Sequence, residues 1–302
     1  MQYKKLILAG VFALAAAACG PGDGPQPASQ SFGQTQQTTL NPGGPFLTSP
    51  VWLPDAGGIT ARGYRGEGIY LIRKSGAEPR IIHPDYKGYL EWIEEGRSFC
   101  LKDSGLFLTY TFDDASGGFV ASMDSDIPCY PRPGAIITER PLFEKHGPSI
   151  RHDLYTGNIT IYENGEQLKI VDSNTWGATA SPDGSRIAFS KGHTAGAALH
   201  VYESGAGLTT IGPGVHPSWC PDGKFLVYAR PNQQGTGPDP GAVTHSDLFI
   251  VDMETGISTR LTDTPDMIEM QPNVSPSGGE IAFSDWKSGA IGVIPRAVEV
   301  AP

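Results

Sequence analysis

Few side chains of this 302-residue chain are spaced for acid–base or metal chemistry. The seven histidines are scattered between His83 and His245, and the acidic pairs at 113–114 and 124–126 lack the spacing of a calcium-binding loop. The chain contains no Gly-x-Ser-x-Gly, His-Glu-x-x-His or phosphate-loop motif, which mark common hydrolases and nucleotide-binding enzymes. We therefore predict that the protein is not an enzyme and uses no cofactor or bound metal.

Cys19 is the residue with the clearest chemical assignment. It follows two lysines and an apolar run, Leu6–Ala18, that ends in three alanines and is too short to remain as a membrane-spanning helix. Small residues directly before a cysteine are typical of a bacterial lipoprotein signal peptide, which predicts cleavage after Ala18 and lipidation of the Cys19 thiol, with palmitate among the attached chains. The alternative is an ordinary secretory signal cleaved after Ala16–Ala18.

The three remaining cysteines allow at most one internal disulfide. Cys100 and Cys129 lie in neighbouring repeats and are the best candidates for this bond. The alternative is that Cys100, Cys129 and Cys220 are all small buried hydrophobic residues.

Residues 20–45 form a segment rich in Gly, Pro, Gln, Ser and Thr. This composition buries too little apolar surface to offset the entropy of ordering, so we predict a disordered tether. About 26 residues of flexible coil span on the order of 25–30 Å, enough to hold a domain away from a membrane surface. An Asp directly after the lipidated cysteine would resemble an inner-membrane retention signal, but this chain has Gly20 there. We therefore expect anchoring in the outer membrane, with the protein facing the periplasm or the cell surface.

A repeated phrase dominates the rest of the chain. It reads SPDGSRIAFSK at Ser181–Lys191, WCPDGKFLVYAR at Trp219–Arg230 and VSPSGGEIAFSDW at Val274–Trp286. Proline presets the first central position of a turn, and glycine supplies the positive φ that lets the chain reverse. The apolar run after each turn predicts a buried β-strand.

Weaker copies occupy 51–61, 89–101 and 131–138, and the turn glycines then fall at 57, 96, 134, 184, 223 and 278. The spacing between successive copies is therefore 38 to 55 residues, close to the period of a four-stranded propeller blade. A hairpin with a Gly-containing turn follows most copies, as at Leu199–Ile211 and Asp247–Thr262. One phrase and one hairpin give the four antiparallel strands of a blade.

Ser-Pro-Asp-Gly before a strand of the Ile-Ala-Phe type, and Asp-Leu-Phe-Ile-Val-Asp before Thr-Gly and Arg-Leu-Thr, resemble the PD40 (WD40-like) repeat of the TolB-like propeller family. The resemblance extends over roughly Phe46 to Arg296. It implies an all-β fold, a six-bladed β-propeller of four-stranded antiparallel blades, over residues 46–302. The separate N-terminal α/β domain of TolB has no counterpart here, so TolB's own role is not carried over.

The charge balance restricts the partners. The net charge is −10, and removal of residues 1–18 with their two lysines makes it −12. This balance argues against nucleic acid and against electrostatic docking on anionic lipid, so the lipid chains would supply the membrane attachment. We expect a monomeric, lipid-anchored protein of the cell envelope that binds an envelope protein or peptide.

Candidate binding residues lie in loops, because blade cores are filled by packing side chains. His216 begins one blade, and the insertion Pro231–His245 in the same blade is longer than a hairpin turn requires. We predict a partner site that contains the following residues: His216, Gln233, Gln234, Asp239 and His245. The alternative is that the insertion is a tolerated loop.

Tryptophans divide into two groups. Trp52, Trp92 and Trp219 occupy equivalent phrase positions and are predicted to pack between blades. Trp176 and Trp286 lie near blade edges and are better candidates for an exposed contact. Exposed aromatic rings are also what a sugar platform needs, so the second function class is a carbohydrate-binding or metal-dependent carbohydrate-cleaving propeller.

Overall fold

The computed structural model of the protein describes residues 37–84, 90–94, 96–103, 106–122, 149–153, 158–163, 166–171, 174–193, 196–233 and 243–296, all within the unit Phe32–Pro302. Cys19, Cys129, Gln234 and Asp239 lie outside the described residues, as do the side chains of Cys100 and Gln233. The proposed lipidation and the proposed disulfide therefore remain predictions.

Antiparallel strands are the main element of the described chain, and they form six sheets that follow one another in sequence. The first three sheets contain β2 (Leu47–Trp52), β3 (Gly58–Gly63), β4 (Ile69–Arg73) and β5 (Arg80–His83), then β6 (Leu90–Glu94), β7 (Ser98–Asp103), β8 (Leu106–Asp113) and β9 (Gly118–Ser122), then β10 (Ser149–Asp153), β11 (Asn158–Glu163) and β12 (Glu166–Val171).

The last three sheets contain β13 (Thr175–Ala180), β14 (Arg186–Lys191), β15 (Ala198–Glu203) and β16 (Gly207–Pro213), then β17 (Val215–Trp219), β18 (Phe225–Gln233), β19 (Val243–Asp252) and β20 (Ser258–Arg260), then β21 (Glu269–Val274), β22 (Glu280–Asp285) and β23 (Ile291–Pro295), which β1 (Thr38–Thr39) completes. Among the described residues, five sheets have four strands and the third has three. The predicted all-β architecture of four-stranded antiparallel sheets is thus confirmed in five sheets, while the phrase at 131–138 lies outside the described residues.

The phrase turns form as predicted. Each turn glycine donates its N–H to the carbonyl three residues earlier, from Gly184 to Ser181 at 2.9 Å, from Gly223 to Cys220 at 2.9 Å and from Gly278 to Ser275 at 2.8 Å. The three glycines have φ between 66° and 74°, a conformation that a side chain disfavours.

The first sheet differs from the prediction at its turn. Ala56, not Gly57, takes the left-handed position, with φ of 53°, and donates to the Leu53 carbonyl at 3.0 Å. The first copy therefore aligns one residue earlier than the glycine pattern indicated.

The strand that follows each phrase supplies the core between sheets. Ile187 and Phe189 of β14, and Ile281 and Phe283 of β22, are all 0% exposed. These residues alternate with others that face the second side, where Ala188 and Ala282 are also buried. Strands covered on both faces explain the unbroken apolar runs that the sequence displays.

Two of the repeated tryptophans pack against the neighbouring sheet, as predicted. The Trp52 indole donates to the Asn273 carbonyl of β21 at 2.9 Å, and the Trp219 indole donates to the Thr179 carbonyl of β13 at 3.3 Å. Both rings are buried, and they place the first strands of consecutive sheets side by side. The side chain of Trp92 lies outside the described residues.

A short segment before Phe46, β1, supplies the fourth strand of the last sheet. In the pairing of β1 with β23, Thr38 faces Val293 and Thr39 faces Gly292. The sequence placed residues 38–45 in a disordered tether. The structure instead makes them part of the domain, because this segment pairs with β23 and buries Asn41.

Candidate functional site

Four of the first strands carry the same irregularity near their beginning. The pairing of β2, β13, β17 and β21 with the next strand is interrupted by a bulge, and one residue in each bulge has a left-handed backbone. These residues are Ser49 (φ 51°), Gly177 (φ 64°), His216 (φ 52°) and Gln271 (φ 54°). Each lies seven positions before the left-handed residue of the following turn, at 56, 184, 223 and 278. The bulge is therefore a feature of the repeat, and we call these four residues the bulge cluster.

Three of the four bulge positions have a side chain where glycine would fit with less strain. A non-glycine residue with positive φ costs of order 1–3 kcal/mol and is retained when surrounding contacts fix it, which often occurs at functional sites. Proline follows Ser49, His216 and Gln271 in the sequence. Because a bulge leaves a residue outside the ladder, the missing proline N–H costs little there.

Contacts join the bulge cluster from one sheet to the next. The Ser49 N–H of the first sheet donates to the Gln271 Oε1 of the last sheet at 2.8 Å. The His216 N–H of the fifth sheet donates to the Ser190 Oγ of the fourth at 3.2 Å, and a Cβ added at Gly177 would lie 4.0 Å from the His216 Cα. The four left-handed residues thus belong to one continuous patch.

His216 lies between two tryptophan rings within this patch. Its ring centroid is 4.7 Å from that of Trp176 and 5.8 Å from that of Trp286, and both contacts are edge-on. Its Nδ1 is buried and has no hydrogen-bond partner among the described residues, although the residue as a whole is partly exposed. Burial lowers the pKa of His216 to about 3, so the imidazole is neutral at physiological pH.

Hydrogen bonds fix the two tryptophans. The Trp176 indole donates to the Gly192 carbonyl at 2.9 Å. The Trp286 indole donates to Gln271 Oε1 at 3.3 Å, and Ser284 Oγ donates to the same oxygen at 2.9 Å. Both tryptophans are partly exposed, in contrast to Trp52 and Trp219, which confirms the predicted division between edge and packing positions.

The predicted insertion forms a paired ribbon over its described part, which corrects the expectation of a loop there. Pro231 pairs with Ser246, Asn232 with His245 and Gln233 with Val243. Val215 pairs with Ala229, so His216 and the ribbon belong to the same end of the fifth sheet.

The structure brings some of the predicted site residues to one end and leaves others apart. His245 lies in the ribbon, where its Nε2 is 3.3 Å from Asn232 Nδ2. The described residues contain no hydrogen bond or ring contact between His216 and His245. Ser49, Gln271 and Gly177 were not among the site residues predicted from the sequence. For Ser49 and Gln271, which lie seven positions before the left-handed turn residue, the following proline repeats the His216–Pro217 pair and carried the signal.

The described ranges contain neither a cluster of metal ligands nor a membrane-spanning helix. No group of three or more His, Cys, Asp or Glu side chains there is arranged to hold a metal ion. No helix in that part of the chain has the length and apolar character needed to cross a bilayer.

Comparison with solved structures returns TolB and WD40-type chains. A putative TolB from Agrobacterium tumefaciens matches with a TM-score of 0.47 and 15% identity, over 83% of this chain and 91% of that chain. TolB from Acinetobacter baumannii matches with a TM-score of 0.42 and 15% identity, over 83% of this chain and 63% of that one.

The β-propeller domain of Myceliophteria thermophila Cps50 (Swd1) matches with a TM-score of 0.43 and 13% identity, over 82% of each chain. Two of these three chains carry the name TolB, the family whose repeat the phrase resembles in sequence. No family model matches the sequence, and no curated protein matches it either.

Proposed function

We propose that the protein is a lipid-anchored cell-envelope lipoprotein whose six-bladed propeller binds a protein or peptide at the bulge cluster. The six successive sheets and the six phrase copies support the blade count. The single observation that supports a binding site best is His216. It combines a left-handed backbone, an unpartnered buried Nδ1 and two flanking indole rings.

The chemistry of His216 defines what it offers a partner. A buried acceptor without a partner costs less than a buried unpaired N–H, so the tautomer with hydrogen on Nε2 is favoured. Neutral His216 would then donate from Nε2 to a carbonyl or hydroxyl oxygen of the partner. The ribbon of the fifth sheet supplies a second contact region at the same end.

A carbohydrate ligand is the second candidate, because Trp176 and Trp286 are partly exposed. We rank it below a peptide for a geometric reason. The His216 ring already occupies the space between the two indoles, which leaves less aromatic surface for stacking a sugar.

The binding proposal is tested by capture from detergent-solubilised envelopes with the purified protein as bait. His216→Asn keeps a residue that tolerates positive φ and removes the imidazole. We expect recovery of the specific partner to fall roughly tenfold, as for a central contact residue. His193→Asn, at an exposed histidine in the connection between β14 and β15, is the matched control and should leave recovery unchanged. Equal recovery with His216→Asn and His193→Asn would reject the site.

The anchoring proposal is tested by metabolic labelling with palmitate. Cys19→Ser should abolish incorporation, because the thiol is the acylated group. Cys220→Ala should keep the label, since burial raises the pKa of the Cys220 thiol to about 12 and leaves it unreactive. Wild-type protein that carries no label would contradict the lipoprotein assignment while leaving the binding proposal intact.

A further inference from the structure

Glu269, the first residue of β21, is 0% exposed and has no cation bonded to it in the described structure. Its two carboxyl oxygens accept hydrogen bonds from the Thr262 Oγ1 hydroxyl and, at 2.9 Å, from the Thr264 Oγ1 hydroxyl, and the backbone N–H of Leu248 is a further neutral donor beside them. A buried carboxylate that receives neutral donors and no opposite charge is costly to ionise, because water would solvate it far better.

The charged groups nearest to Glu269 form ion pairs with one another and not with Glu269 in the described structure. Asp247 of β19 is paired with Arg260 of β20 at 2.6 Å, and Arg260 also pairs with Asp263. Asp247 acts on Glu269 as a like charge and disfavours its ionisation.

The remaining titratable and charged groups on the elements around β21 also have other contacts. Asp285 of β22 accepts the Ile268 N–H, Lys287 donates to the Asp266 carbonyl, Arg230 of β18 lies over the Phe249 ring, and His216 of β17 is neutral.

Glu269 holds the connection between the fifth and last sheets, residues 261–268. Thr262 Oγ1, which donates to Glu269, also accepts the Leu248 N–H of β19 at 2.9 Å. The Met267 carbonyl accepts the Ser246 N–H at the base of the ribbon, at 3.3 Å, and the Ile268 carbonyl accepts the Trp286 N–H at 2.9 Å. One connection therefore ties the ribbon and a tryptophan of the candidate site to the Glu269 carboxyl.

We propose that Glu269 and residues 261–268 form a proton-dependent latch. Neutral Glu269 holds residues 261–268 in place against the fifth and last sheets, and loss of its proton loosens this contact. Opening the latch gives the carboxylate access to water. It also weakens the bonds that hold Ser246, Leu248 and Trp286, so the latch changes the same end of the fold where the binding site is proposed. The latch does not depend on the identity of any partner, and its failure would leave the binding proposal standing.

The direction of the pH effect follows from burial. Burial, the largest cause, raises the pKa of Glu269 to about 7 from an ordinary value of 4.5. A carboxyl whose pKa is higher in the folded protein stabilises the fold fully below its unfolded value and loses this contribution as pH rises towards 7. The latch is therefore closed in mild acid, loosens as pH rises from about 4.5 to about 7, and changes little above that range.

Hydrogen exchange of the full chain between about pH 5.5 and about pH 8.5 measures the latch directly. After correction for the intrinsic rate, we expect protection of the Ser246, Leu248 and Trp286 amides to fall roughly tenfold with rising pH, while the amides of β14 and β15 change little. Glu269→Gln, which stays neutral, should remove the pH dependence. Asp263→Asn, at an exposed acid of the same connection, should retain it.

Carbon-13 NMR of labelled glutamate in the wild-type protein gives an independent measurement, which remains decisive if Glu269→Gln fails to fold. A carboxyl that titrates near neutrality supports the latch. A Glu269 titration near the ordinary value of 4.5, or an unchanged pH response in Glu269→Gln, overturns it.

Discussion

Phe283→Ala should lower the free energy of unfolding by about 3–5 kcal/mol, the range measured for large-to-small changes at buried phenylalanines. Phe283 is 0% exposed and lies opposite Gly292 of β23. The fit is close, because a Cβ added at Gly292 would lie 2.4 Å from the Phe283 Cζ. Alanine would leave a cavity over the glycine that the flanking strands cannot fill. Chemical denaturation with tryptophan fluorescence measures the loss.

Three companion variants separate the loss of packing from a general sensitivity to mutation. Val120→Ala, at a residue 56% exposed, should change stability by less than about 0.5 kcal/mol. Gly292→Ala alone should destabilise by overpacking, and the double change Phe283→Leu with Gly292→Ala should recover part of that loss. Additive effects of the two substitutions would mean that the ring and the glycine are not in contact.

The repeated phrase made the architecture predictable because its signals are local. A Pro-Asp-Gly turn and an apolar run specify a reversal and a buried strand from a few consecutive residues. The same reasoning misplaced the first turn by one residue, since Ala56 takes a conformation that composition assigns to glycine. Trp52 and Trp219 were correctly predicted to pack between sheets, because their equivalent positions in the repeated phrase implied equivalent neighbours.

The site was only partly predictable, for a physical reason. His216 was selected from its place at the start of a blade, and Trp176 and Trp286 from theirs near blade edges. Their contact depends on the side-by-side arrangement of β13, β17 and the end of β22, which belong to three sheets and which no local pattern brings together. The left-handed conformation of Ser49 and Gln271 likewise follows from pairing across strands, where a bulge takes up an extra residue.

The variation of side chains at the four bulge positions bears on the proposed binding function. If every sheet carried the same side chain at this position, all the sheets would present the same surface at this end, and no part of that surface would be distinct enough to serve as a binding site. Here the repeat keeps one backbone irregularity and varies its side chain, from Ser49 to Gly177 to His216 to Gln271. Specificity can therefore arise at these positions without altering the sheets that hold them.

Asn41→Leu should destabilise the protein by on the order of 3 kcal/mol, because it leaves buried backbone groups unpaired. Asn41 is 4% exposed; its Oδ1 accepts the Ile291 N–H at 2.6 Å, and its Nδ2 donates to the Gly289 and Pro45 carbonyls. Leucine has a similar volume and none of these bonds.

Thermal unfolding and limited proteolysis measure the effect, and Thr38→Ala, at an exposed position of the same segment, is the control. Asn41→Leu should release the segment to protease and expose the edge of β23, while Thr38→Ala should behave as wild type. Equal protease resistance in both variants would mean that β1 is held without Asn41. Because the proposed lipid tether enters the domain through this segment, the same side chain that completes the last sheet would also secure the fold to its anchor.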